Sequence, residues 1–112
     1  MNLEALGFIK KCVRQKRIIW TNHVNFRLKE RLISRHNIIN SISQYEIIDE
    51  SQDDSFLPGY LVYTQKGKEI FHLFVTVDFH NELVTIVTSY KPSLSKWERD
   101  FRTRKESKLH LY

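Results

Sequence analysis

The sequence predicts a single α+β domain over residues 1–112. It combines a small antiparallel sheet of about four strands with N-terminal helices packed on one face and a further helix at the C-terminus. Three observations predict it. Apolar residues recur at helical spacing through the first forty residues, the period drops to two from residue 45, and Lys91-Pro92 ends the alternation. Helices first, strands next and one helix last is a segregated order, unlike the strict strand–helix alternation that builds a parallel sheet.

Leu3, Leu6, Ile9 and Val13 set the period of a first helix over residues 3–15, and Arg14, Lys16 and Arg17 suit its negative end. Ile18-Ile19-Trp20 is a short apolar run, either an edge strand or a docking segment. Thr21 or Asn22 caps a second helix that continues to about Leu32, with Val24, Leu28 and Leu32 as its buried row. Ser34 caps a third, with Ile38, Ile39 and Ile42 inward. Tyr45–Ile48 is a short strand, and Asp49–Pro58 is an acidic loop. Tyr60–Thr64, Glu69–Asp78 and Glu82–Tyr90 follow as a meander, turning at Lys66-Gly67 and His80-Asn81. Phe71, Leu73, Val75 and Val77 share one face of their strand, and Ile70, His72, Phe74 and Thr76 the other. Val84, Ile86, Thr88 and Tyr90 share a face of the last strand. Ser95 caps the C-terminal helix, which carries Trp97 and Phe101.

A chain of 112 residues with 41% hydrophobic and 12% aromatic content can bury one core unaided. Cys12 is the only cysteine, so no internal disulfide forms, and its helix position reads as a buried thiol in a reducing compartment. Residues 1–13 lack the apolar core of a signal peptide, and no run approaches the roughly twenty apolar residues that span a bilayer. A cytoplasmic protein is expected. The net charge of +5 suits a phosphate-rich or acidic partner.

At about 100° per residue, His23, Arg27 and Arg31 stack in one row beside Val24 and Leu28, at the rim of the core. Two arginines one turn apart repel unless an anion, or Glu30 and the acidic loop, offsets them. Such a row fits phosphate binding, with His23 able to move a proton near neutrality. His72 interrupts an apolar strand and needs a partner there, either as a satisfied core histidine or as a second proton carrier. Tyr90 stands where the last strand leaves the sheet, placed to stack on a base or bond a phosphate. Lys91 beside it is a further candidate for nucleic-acid contact, and Arg99, Arg102, Arg104, Lys105 and Lys108 make a basic tail suited to phosphate contacts or to a solvated helix face. No phosphate-cradling glycine loop and no metal-ligand spacing is present, so no cofactor and no metal are expected.

Thr21-x-His23-x3-Arg27-x2-Glu30-Arg31-x-Ile33-Ser34 resembles the opening motif of the bacterial family called domain of unknown function 4258. Tyr45-x-Ile47-Ile48 with the acidic loop and Pro58, the strand with His72, and Thr88-x-Tyr90-x-Pro92-x4-Trp97 resemble its middle and end, so the likeness runs from Ile18 to Arg104. The family has no settled activity. It looks related to the RelE/ParE-like toxins, MqsR and BrnT relatives included, which implies a RelE-like fold, an antitoxin partner of MqsA zinc-finger type, and messenger RNA cleavage without metal. Two departures stand out: Val24 occupies a place where a small residue is frequent, and no glycine precedes Ile33.

Two functions therefore stand side by side. One is the toxin of a toxin–antitoxin pair, a metal-independent endoribonuclease. There His23 or His72 moves protons, Arg27 and Arg31 hold the phosphate, and Tyr90 positions a base or phosphate. The other is a non-catalytic basic module that binds nucleic acid or protein.

Overall fold

The computed structural model describes residues 2–51 and 57–105. Helix α1 (Leu3–Arg14) starts where Asn2 Oδ1 accepts from the Ala5 N–H at 2.9 Å, and buries Ala5, Ile9, Cys12 and Val13. Strand β1 (Ile18–Trp20) follows at once. Helix α2 (Asn22–Glu30) is capped by Thr21 Oγ1, which accepts from Val24 N at 3.0 Å. Helix α3 (Arg35–Asn40) is capped by Ser34. A 3-10 turn over Ile42–Gln44 leads into the strands β2 (Glu46–Glu50), β3 (Gly59–Lys66), β4 (Glu69–Asp78) and β5 (Leu83–Tyr90).

The sheet has five strands in the order β1-β5-β4-β3-β2, one more than expected, because the Ile18–Trp20 run is an edge strand. It pairs parallel to β5, from Ile18↔Val84 to Trp20↔Ile86, while every other pair is antiparallel. The sheet is therefore mixed. Its first face packs Tyr60, Val62, Phe71, Leu73, Val75, Val77, Val84 and Ile86 against all three helices in one continuous core. Among the described residues, no helix is long and apolar enough to cross a membrane.

Four expectations need correction. Helix α2 stops at Glu30, and Leu32 is not buried: it is 83% exposed with φ at +57°. The chain closes α2 with paired bonds, Ile33 N to Leu28 O and Leu32 N to Lys29 O, a reversal that requires the left-handed conformation at Leu32. In α3 only Ile38 is buried, while Ile39 lies at the surface. Thr88 and Tyr90 do not share a face with Val84 and Ile86. Val75 pairs with Ile86 but Phe74 pairs with Thr88, so Val87 is an extra, bulged residue. One inserted residue reverses the alternation beyond it, turning Thr88 and Tyr90 onto the second face.

The fourth correction is the C-terminal helix. Residues 91–105 form an irregular arm with two isolated turns, Trp97 N to Ser93 O and Phe101 N to Glu98 O, and an isolated bridge between Trp97 and Arg104. Asp100 breaks the helix. Its carboxylate accepts from the Arg102 and Thr103 N–H groups and from the Thr103 hydroxyl. A side chain that captures backbone donors in this way favours a turn. The chain doubles back there, and the arm covers the second face of the sheet. Residues 52–56 of the acidic loop and 106–112 of the tail, Lys108 among them, lie outside the described residues.

Candidate functional site

The second face of the sheet is where polar chemistry gathers. Antiparallel pairing places Tyr63, His72 and Tyr90 side by side across β3, β4 and β5. Trp97 comes down on them from the arm, its ring 4.4 Å from that of His72 and edge-on at 84°. His72 is fully buried. Its Nε2 lies 2.7 Å from the Phe101 carbonyl, which can only accept, so the proton resides on Nε2. Nδ1 is then an acceptor, and the Tyr90 hydroxyl donates to it at 3.3 Å. Burial lowers the His72 pKa and the Arg104 charge adds to this, partly opposed by the Phe101 bond, so the ring is neutral near pH 7. Burial likewise raises the Tyr90 pKa, keeping the phenol protonated.

Tyr90 also faces outward. It lines a cleft of about 410 Å³ whose walls include Arg31, Lys91, Lys96, Trp97 and Arg104; among the described residues the lining holds four cations and no carboxylate. Each cation is positioned by a different device. Arg31, the residue after α2, donates to the Ser89 carbonyl at 2.7 Å, on the stretch of β5 beyond the reach of β1. One N–H of its fork is used there, and the guanidinium carries five. Arg104 stacks 4.5 Å above the Trp97 ring and contacts Asp49 at 3.2 Å. Lys91 lies 3.7 Å from Glu69. These pairs are half-exposed and weak, so both cations can still take an arriving anion. Lys96 has no ion pair among the described residues, and no residue type or spacing in the sequence marked it. Its signal was its place beside Trp97, legible only once the arm is known not to be a helix.

The structure divides the row read from the sequence. Arg31 reaches the cleft and sits on its wall with Tyr90. His23 is exposed near the start of α2 and does not line the cleft. Arg27 pairs with Glu30 at 2.8 Å and does not line it either. Of the basic tail, Arg104 and Lys91 belong to the cleft. Arg102 is committed elsewhere: it lies 4.0 Å over the Tyr63 ring and bonds Glu46 through two nitrogens, fastening the arm to β2. Arg99 and Lys105 are exposed and outside the cleft. Among the described residues, no cluster of three or more His, Cys, Asp or Glu side chains could hold a metal ion.

A family model described as Domain of unknown function (DUF4258) matches residues 20–91, which contain α2, α3, β2 to β5 and, of the cleft, Arg31, Thr88, Tyr90 and Lys91. No curated protein and no solved structure matches the chain.

Proposed function

The chain belongs to the DUF4258 family, and we propose that it is an endoribonuclease of toxin type that binds single-stranded RNA in the cleft and cleaves it without a metal. The observation that carries this is the grouping, among the described residues, of four cations around one tyrosine, itself held by a buried neutral histidine, with carboxylates reaching only Lys91 and Arg104 through half-exposed pairs. Like charges crowded at a half-open site repel, and an anion bound among them offsets the cost. The most abundant ligand of that kind is a phosphodiester.

The ribose 2′-hydroxyl attacks the adjacent phosphorus, and the 5′-oxygen leaves, giving a 2′,3′-cyclic phosphate. The side chains supply the charge that this step needs. Arg31 and Arg104 hold the phosphate oxygens as negative charge builds on them. The 2′-hydroxyl proton passes to water, while the Tyr90 phenol, kept protonated by burial, turns from His72 Nδ1 to protonate the leaving 5′-oxygen and regains its proton from water. In this reading the kinship is with RelE/ParE-like toxins and the partner is an antitoxin. A mixed sheet with helices on one face, and a cationic cleft where the last strand ends, support that kinship.

The test is incubation of single-stranded RNA with the wild type, Arg31→Ala and Tyr90→Phe, all with chelator present. Wild type is expected to leave cyclic-phosphate ends, and each substitution to slow cleavage about 100-fold or more. No cleavage by wild type, or equal rates in all three, overturns the nuclease reading. A second reading, a binding module without catalysis, is favoured by a specific observation: among the described residues no imidazole lines the cleft, since His72 is sealed and His23 lies outside. RNA retained but uncut identifies that reading.

A further inference from the structure

The cleft continues past Tyr90. Tyr90 and Arg104 also line a second cavity of about 250 Å³, floored by Leu61 and Phe74 and edged by Asp49, Glu50 and Ser51. Strand register explains why these meet. Leu61 pairs with Phe74 on one side and with Asp49 on the other, so all three occupy the second face. Asp49 is there because β2 carries its own irregularity. Ile47 pairs with Val62 and Asp49 with Leu61, which leaves Ile48 as an extra residue and reverses the alternation. Gly59 makes room for the Phe74 ring: a Cβ at this position would collide with the ring where it now lies.

We propose that this cavity is a base pocket that selects guanine in the RNA strand whose phosphate lies in the cleft. It rests on the RNA-binding reading above and deepens it. A flat apolar floor suits the face of a base, and a cavity of about 150 Å³ already holds a benzene ring, so 250 Å³ has room for a purine. The selecting group is the Asp49 carboxylate, which offers acceptors only. Its Oδ1 takes the Glu50 N–H at 2.9 Å and its Oδ2 takes Arg104 at 3.2 Å, leaving each oxygen one further lone pair. Two parallel acceptors need two adjacent donors. Guanine presents them as N1–H and the N2 amine. Adenine, cytosine and uracil each set a repelling acceptor beside their donor. A basic side chain from a protein would also satisfy a carboxylate over an apolar floor. The four cations next door repel such a side chain, and they favour a neutral base joined to an anionic backbone.

The test uses labelled ten-nucleotide RNAs with 2′-O-methyl riboses, which block cleavage. Each is uridine throughout except for a central guanine, inosine or adenine. Binding is read by fluorescence anisotropy. Guanine is expected to bind about tenfold or more tighter than adenine, with inosine, which lacks the N2 amine, between them. Asp49→Asn is expected to bring the guanine-to-adenine ratio close to one, whatever the loss of its charge beside Arg104 does to both affinities together. If all three RNAs bind wild type equally, or the guanine preference survives in Asp49→Asn, the pocket assignment is wrong and the cleft reading stands. If wild type binds none of them, the cleft reading falls and the pocket with it. Displacement of the guanine RNA by argininamide but not by guanosine monophosphate would assign the cavity to a protein side chain and overturn the proposal. The Asp49 side chain is about half-exposed. Should its variant nonetheless misfold, the inosine comparison decides on wild type alone.

Discussion

Leu32 shows how a single residue can carry a cost that the sequence advertises and the structure explains. Its φ of +57° is a left-handed conformation that costs a branched L-residue roughly 1–2 kcal/mol. Its side chain is 83% exposed, so almost no packing offsets that cost. The missing glycine before Ile33, noted as a departure from the family pattern, falls at this position. Glycine adopts the left-handed region freely but loses more entropy on folding, which returns part of the gain. Leu32→Gly is therefore expected to stabilise the protein by about 0.5–1 kcal/mol, read as a higher midpoint in urea unfolding. A lower midpoint would mean that the leucine side chain supports α2. At His72 the sequence read only half of the matter. An uncovered polar ring in an apolar strand called for a partner. That the partners are the Phe101 carbonyl and the Tyr90 hydroxyl depends on the path of the arm.

Elements were legible where one periodicity acted alone. The three helices, the meander and the turns between its strands follow from spacing and capping, since Thr21, Ser34 and Gly67 act locally. The arm was misread because Trp97 and Phe101 four apart imitate a helix, whereas Asp100 captures the donors a helix would need. The bulges at Ile48 and Val87 were invisible for a deeper reason: a bulge is a mismatch between two strands, and neither strand alone contains it. They turn Asp49 and Tyr90 onto the working face, so the least legible features build the site. The arm also links this face to pH. Folding seals His72 neutral beneath Trp97, while in the unfolded chain it titrates near pH 6.5. Below that pH the unfolded state takes up the proton more readily, so stability falls as pH drops from about 6.5. Urea midpoints are expected to be lower at pH 5.5 than at 7.5, with a smaller difference in His72→Gln. An unchanged difference would place the pH effect on other groups.

At the scale of the molecule, charge was the most readable property and its placement the least. The sequence carries 18 Lys and Arg against 13 Asp and Glu. Folding pairs Arg27, Arg102 and Lys11 with Glu30, Glu46 and Glu82, and gathers four further cations around Tyr90, two of them loosely paired. Four cations on one single strand imply that log K for RNA falls with log salt at a slope of about −3, near 0.7 per phosphate contact. Lys96→Ala is expected to make that slope shallower by about 0.7. An unaltered slope would show that Lys96 touches no phosphate. The matched stretch ends at Lys91, yet Lys96, Trp97 and Arg104 come after it. Platform and cover are thus written in separate passages of the gene product. The strap across the sheet can be exchanged, lengthened or re-charged without disturbing the helical layer behind it, and new ligand preferences can evolve there while the scaffold stays fixed.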